Sequence, residues 1–272
     1  MKINSFNFLY LLEMLLPAIG LCLPLKKRQH GIQKALTVVL AGFLLSGLVT
    51  TFFISHFGTA IAENLSQPEQ FAGLIFWFFM TWTIVISAIY LYTESSIYDS
   101  IYIFALSYGI EHIFYCIRVL TECITNGVID NKHPVIYLPC LLGSFLLAYF
   151  WFTSGTIYEG RYPTGAIAAT TTSVVLIAIV CGLSIVMAFF GYAHLHSIYA
   201  ILCCIFILTN QRGQMKREIE RIEFSQKEQL WEKTKLRYEM SKESMAVVNQ
   251  HYHDMKHQLM LLSTMSDEDK RK

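Results

Sequence analysis

Charged residues are scarce in the first 209 positions of this chain. The 272 residues are 54% hydrophobic and only 15% charged, and 24 of the 41 Lys, Arg, Asp and Glu residues follow Thr209. A soluble globular domain carries about 25% charged residues. The deficit argues against a single soluble domain and indicates a membrane-embedded region followed by a polar one. The net charge of +1 gives no sign of a nucleic-acid partner.

Paired cysteine motifs are also lacking. None of the seven cysteines belongs to a C-x-x-C pair, and most lie inside apolar segments. A cysteine in such a segment behaves as a small hydrophobic residue. The pattern therefore predicts neither a disulfide framework nor a zinc site.

Long apolar runs fill the region before Thr209. A membrane-spanning helix needs about 20 mainly apolar residues. Seven runs qualify as candidates, at about 6–25, 34–57, 71–92, 97–120, 135–152, 165–190 and 192–209. The fifth and the seventh are short, so six spans are the alternative. The expected fold class is all-α: a polytopic membrane helical bundle followed by a long cytoplasmic dimerisation helix.

The positions of Lys and Arg in short loops predict the orientation of the bundle. Lys26, Lys27, Arg28 and Lys34 cluster in the first loop, and the segment after Thr209 opens with further basic residues. The second loop, 58–70, has neither Lys nor Arg. We therefore expect the first loop and the tail in the cytoplasm of a multi-pass plasma-membrane protein, which seven spans and an external N-terminus satisfy.

Several ionisable residues fall within the expected spans. Glu13 lies in the first, Glu111 and His112 lie together in the fourth, and Arg118 and Glu122 form an i,i+4 pair near its end. Ionisable side chains in a membrane are costly and mark ligand or ion pathways when they face the bundle interior. Glu111 and His112 are therefore candidate ligand-binding residues, with polar contact between helices as the alternative interpretation.

Glycine and proline are missing after Gly213, and the remaining residues are mainly good helix formers. An apolar or aromatic residue recurs every seven positions, at Phe224, Trp231, Tyr238, Met245, Tyr252 and Leu259. We call these six residues the heptad column. A second column, three residues further on, is apolar only from Val248 onward. This pattern predicts a helix that forms a parallel homodimer.

The segment HYHDMKHQL, residues 251–259, holds three histidines and an aspartate. His253 follows Tyr252 by about 100° around the helix, and His257 lies one turn further on the same face. Three interpretations compete: a zinc site using His253 and His257, a solvated helix face, and a phosphoacceptor histidine. A neutral imidazole is a competent nucleophile near physiological pH. An acidic neighbour such as Asp254 can hold the proton of one ring nitrogen while the other nitrogen attacks a phosphoryl group.

The stretch YHDMKHQL, which leads into LMLLSTM, resembles the phosphoacceptor box of bacterial sensor histidine kinases with GHKL-type ATPase domains. The most similar group is the quorum-sensing receptor kinases of the accessory-gene-regulator type, whose box reads roughly H-D-x-x-N-x-L. The resemblance implies that His253 is phosphorylated and that Asp254 activates it. His257 stands where those kinases have Asn, a position that influences dephosphorylation of the partner regulator. The spacing H-D-x-x-x-Q, which ends at Gln258, also resembles a second kinase subclass.

The nucleotide-binding motifs of such kinases are not found in this sequence. The resemblance implies ATP and Mg²⁺ for a full-length kinase, whereas no cofactor and no metal are expected for this chain. The expected domains are a transmembrane sensor (1–209), a connector helix or coiled coil (210–245) and an incomplete first helix of the dimerisation and histidine-phosphotransfer domain (246–272). We expect the chain by itself to be inactive as an enzyme.

The leading hypothesis is therefore the membrane-sensing and phosphoacceptor part of a two-component sensor histidine kinase. The implied partners are a second copy, a response regulator, membrane lipid and an extracellular or membrane-borne signal, for which the resemblance implies a peptide. The alternative is a non-enzymatic membrane receptor or scaffold that dimerises through its cytoplasmic helix. A small transporter is a third hypothesis, although the sequence has no convincing internal repeat of the kind found in many transporters.

Overall fold

The fold was obtained as a computed structural model, which describes residues 3–57, 67–162, 171, 174–180, 182 and 193–269. Every regular element in these ranges is helical, which confirms the all-α prediction. The helices are α1 (Ile3–Cys22), α2 (Gly31–Phe57), α3 (Gln67–Tyr92), α4 (Ile97–Ile124), α5 (Pro134–Leu146), a π-helix that continues α5 (Leu147–Phe152), and the long α6 (Ala193–Asp269).

The chain divides into two compact units, Met1–Ile219 and Glu220–Lys272. The sequence places a domain boundary at Thr209, whereas the first unit continues to Ile219. Gln211 and Met215 are both buried within this unit. The beginning of the polar region therefore packs as part of the first unit.

Helix α4 lies at the centre of the first unit. All residues from Tyr102 to Ile113 are buried, and α1, α3 and α5 pack against this helix. A helix that is apolar around its whole circumference is stable only when neighbours cover every face. A capping box begins α4: the Ser96 hydroxyl accepts a hydrogen bond from the Asp99 amide, and the Asp99 carboxylate accepts one from the Ser96 amide.

Three connecting segments meet at one end of the first unit. Lys27 forms a β-bridge with Thr93, and the Arg28 side chain donates hydrogen bonds to the carbonyls of Thr93 (2.7 Å) and Ser95 (3.2 Å). The amide of Lys26 donates to the Gly160 carbonyl at 2.9 Å. The segments after α1, after α3 and after the π-helix are therefore held together by backbone hydrogen bonds.

Two glycines permit this close approach. Gly160 has φ +77° and follows Glu159 at φ +50° in the tight turn between Tyr158 and Arg161, a conformation with two positive φ angles. At Gly31, the first residue of α2, an added Cβ would lie 2.6 Å from the Tyr92 carbonyl oxygen. A larger residue there would force the backbones of α2 and α3 apart.

The part of α6 near Gln211 lies at the same end of the unit. The Tyr102 hydroxyl donates a hydrogen bond to the Gln211 side-chain oxygen at 3.1 Å. Arg212 donates to the Ser154 carbonyl at 3.2 Å and lies over the Trp151 ring, 5.0 Å from its centroid. The basic first loop and the first basic residues after Thr209 therefore lie at one end of the bundle.

Two helical segments in the described ranges are long and apolar enough to cross a membrane, Ile97–Ile124 and Pro134–Phe152. Length and composition are the two properties of these helices that indicate membrane association. Shorter apolar stretches occupy Leu9–Cys22, Gly31–Leu45 and Phe78–Tyr92. The sixth expected span, 165–190, lies mostly outside the described residues, so the number of crossings stays a prediction.

Candidate functional site

The heptad column lies on the surface of α6. Its six side chains have exposed fractions between 62% for Leu259 and 72% for Tyr238. Large aromatic and aliphatic side chains that recur every seven residues on one helix face are the usual basis of helix pairing. Within the single chain this face is open to solvent.

The expected phosphoacceptor residues lie on the same helix. His253, Asp254 and His257 are all exposed residues within α6. His253 follows Tyr252 of the heptad column and therefore lies about 100° around the helix from it. An exposed imidazole beside an apolar seam is accessible to a separate domain that carries a phosphoryl donor.

No cluster of three or more His, Cys, Asp or Glu side chains with metal-binding geometry occurs in the part of the chain that the structure describes. His253 and His257 lie one helical turn apart, which is a spacing that can bind zinc. The described residues supply no further ligands for such a site.

A second group of polar residues is buried in the first unit. The Arg118 Nη2 atom of α4 lies 2.9 Å from a carboxylate oxygen of Glu13 of α1 and 4.0 Å from one of Glu111. The rings of Tyr137 and Tyr115 lie 5.1 Å and 5.8 Å from the guanidinium carbon. We call Glu13, Glu111, Arg118 and Tyr137 the buried charge cluster.

The structure separates the two residues that the sequence paired as a candidate ligand site. Glu111 belongs to the buried charge cluster, whereas the His112 ring lies between those of Tyr108 (6.3 Å) and Tyr115 (6.0 Å). The His112 Nε2 atom is buried and has no hydrogen-bond partner among the described residues. Successive helix residues point about 100° apart, so adjacent positions in α4 have different surroundings.

Arg118 pairs with a different residue from the one that the sequence predicts. The sequence offers Glu122 one turn further along α4, but Arg118 forms its short ion pair with Glu13. Side chains on a helix point toward its N-terminus, so Arg118 reaches toward the level of Glu111. A buried carboxylate at Glu13 needs a counter-charge more than the half-buried Glu122 does.

Sequence reasoning missed Tyr137, Tyr102 and Gln211. A tyrosine in an apolar helix is ordinary at a membrane interface, so nothing marked Tyr137 as a neighbour of Arg118. Gln211 follows an apolar run and was included in the polar tail that begins at residue 210. Its contact with Tyr102 depends on the packing of α6 against α4.

Comparison with protein-family models, with curated proteins and with solved structures finds no match to this chain.

Proposed function

We propose that this chain is the membrane-sensing and phosphoacceptor part of a two-component sensor histidine kinase, and that His253 accepts the phosphoryl group. The observation that carries the proposal is the His253–Asp254 pair, exposed beside the apolar heptad column of a long helix. A nucleophile that must meet a separate donor domain and then a separate acceptor protein has to lie on an open surface.

The reaction needs one ring nitrogen with a free electron pair and a base that can accept the proton of the other ring nitrogen. The unprotonated ring nitrogen of His253 attacks the γ-phosphorus of ATP, a phosphorus–nitrogen bond forms, and the bond to the ADP oxygen breaks. The proton on the second ring nitrogen is stabilised by the Asp254 carboxylate or passes to solvent. The phosphoryl group then moves to a carboxylate of the response regulator, and His253 returns to its neutral state.

The nucleotide-binding motifs of these kinases are not found in residues 1–272. In this proposal the chain is the phosphoryl acceptor, and a separate ATPase domain binds the Mg²⁺–ATP substrate. We propose that a second copy of the chain covers the heptad column, because a helix with one apolar seam is best buried against its own equivalent.

The first unit would be the sensor, with a membrane-borne or extracellular signal such as a peptide as its ligand. Three contacts support a route from this bundle to the tail. Tyr102 of α4 binds Gln211, and Arg212 contacts both Ser154 and the Trp151 ring. A displacement of α4 or of the π-helix would therefore change the position of these first residues of the tail.

The proposal is tested by phosphorylation in native membranes. The polypeptide expressed from its complete reading frame is incubated with Mg²⁺ and γ-labelled ATP, and acid-labile, base-stable label is measured. We expect label on the parent protein, none on His253→Gln, and about a 100-fold slower rate for Asp254→Asn, the size typical of a lost acid–base group.

His251→Gln is the matched control, because His251 is an exposed histidine two residues away on the same helix and should keep its label. Label that persists in His253→Gln would exclude this residue as the acceptor. A parent protein that takes no label in the presence of an intact ATPase domain would favour the receptor or scaffold function instead.

A further inference from the structure

Two carboxyl groups share one guanidinium in the interior of the first unit. Glu13, Glu111 and Arg118 are 8%, 4% and 5% exposed, and both ion-pair distances, 2.9 Å and 4.0 Å, involve the same Nη2 atom of Arg118. With all three groups ionised, the cluster would hold one uncompensated negative charge. An unpaired buried charge is strongly destabilising, because burial removes its hydration and no counter-charge replaces it.

No other cationic group among the described residues faces the two carboxyl groups. The ionisable neighbours are otherwise tyrosine and cysteine side chains from three helices: Tyr115 and Cys116 of α4, Tyr137 and Cys140 of α5, and Cys204 of α6. These groups are neutral in the ordinary range of pH. The His112 imidazole, next to Glu111 in sequence, packs between two tyrosine rings.

The Tyr137 hydroxyl indicates which of the two carboxyl groups stays ionised. Tyr137 is 8% exposed, and its hydroxyl makes no hydrogen bond of ordinary geometry with the described residues. The hydroxyl nevertheless lies within hydrogen-bonding range of the Glu13 carboxyl group and close to Arg118 and Glu111. A hydroxyl that donates to the charged form of a carboxyl group stabilises that form, so Tyr137 favours Glu13 as the ionised partner.

We propose that Glu13 and Glu111 share one proton, which makes the buried charge cluster a proton-binding site that links α1, α4 and α5. Glu13, at 2.9 Å from Arg118, keeps the ionised form, and Glu111 carries the proton. The site is then neutral overall. The two carboxyl groups are close enough to form a hydrogen bond with each other. Two carboxyl groups that cannot both ionise at such close range hold a single proton between them.

A proton fits this site better than a metal ion does. Metal cations in proteins are held by several oxygen ligands, six or more for Ca²⁺ and about six for Mg²⁺, and here two carboxyl groups lie within 4.0 Å of a guanidinium that would repel a cation. The proton needs only one oxygen and adds no volume. This inference does not depend on the phosphorylation of His253.

Infrared spectroscopy tests the proposal directly, because a protonated carboxyl group absorbs apart from a carboxylate and its band shifts in heavy water. The 272-residue chain is reconstituted in lipid nanodiscs at neutral pH and compared with three variants. We expect the parent to show a protonated-carboxyl band of one group per chain. Glu111→Gln and Glu13→Gln should each abolish this band, because each leaves one carboxylate for one guanidinium.

Glu122→Gln is the matched control on the same helix and should leave the band unchanged. Circular dichroism establishes that each variant is helical, and either glutamine variant suffices if the other does not fold. A parent protein without the band would overturn the proposal. So would a band that survives both substitutions, or one that disappears when Na⁺, K⁺ or NH₄⁺ is added at constant pH, since a cation other than the proton would then occupy the site.

Discussion

At the scale of single residues, burial decides how each polar side chain behaves. His253 and Asp254 are exposed and accessible to another protein, whereas Glu13 and Arg118 are buried and depend on each other. The same residue types would behave differently if exchanged between these sites. A chemical role therefore follows from the surroundings of a side chain as much as from its identity.

Tyr162 provides a prediction at this scale. It lies beyond the π-helix and outside the expected spans, is buried, and donates a hydrogen bond to the Leu21 carbonyl at 3.1 Å. Burial raises the pKa of its hydroxyl well above the ordinary value, and the nearby Cys22 and Tyr102 raise it further. Because the folded pKa is raised, the contribution of Tyr162 to stability is complete below the unfolded pKa of about 10 and declines as pH rises above it.

We therefore expect Tyr162→Phe to lower the free energy of unfolding by about 1 kcal/mol at neutral pH, the value of one hydrogen bond. At alkaline pH the variant should lose less stability than the parent protein does. Thermal unfolding in detergent, followed across that pH range, measures both effects. Tyr98→Phe is the control, since Tyr98 is 46% exposed. An alkaline loss of the same size in Tyr162→Phe and the parent would contradict this account.

At the scale of elements, α6 combines a buried beginning with an exposed heptad column. The residues from Ala200 to Met215 alternate between buried and exposed as they pack in the first unit, whereas the residues from Glu223 to Met260 are exposed throughout. The long helix therefore has an apolar face that no other described part of the chain covers. The proposed homodimer would cover that face.

Cysteine cross-linking tests this pairing. All native cysteines lie before Thr209, so Tyr252→Cys and Gln250→Cys each introduce the only thiol of the tail. Position 252 belongs to the heptad column, and position 250 lies on the opposite side of the helix. We expect Tyr252→Cys to form disulfide-linked dimers under mild oxidation and Gln250→Cys to form at least about tenfold fewer. Equal yields would exclude the parallel seam.

At the scale of the whole molecule, the positions of the basic residues predict the orientation in the membrane. A fluorescent reporter that folds only in the cytoplasm is fused after Lys272, and an alkaline phosphatase that is active only outside is inserted into the second loop, 58–70. We expect both reporters to be active, because the first loop and the tail carry the Lys and Arg clusters. An external location of the reporter after Lys272 would exclude the proposed phosphorylation.

Much of the architecture could be predicted from the sequence because it depends on local patterns. Apolar runs of sufficient length predicted helices at the places where α1 to α5 lie, and the absence of Gly and Pro after Gly213 predicted the long helix. The seven-residue period predicted which side chains would share a face of α6. None of these inferences requires knowledge of residues far apart in the chain.

Which polar residues meet in the interior was decided only by the tertiary structure. The predicted pairs were Arg118 with Glu122 and Glu111 with His112, because spacing in the sequence reveals only which residues are close along one helix. Packing brings Glu13 of α1 to Arg118, and the energetic cost of leaving a buried carboxylate unpaired favours that partner. The same packing turns His112 toward tyrosine rings and Glu111 toward the ion pair, since neighbouring positions on a helix face different neighbours.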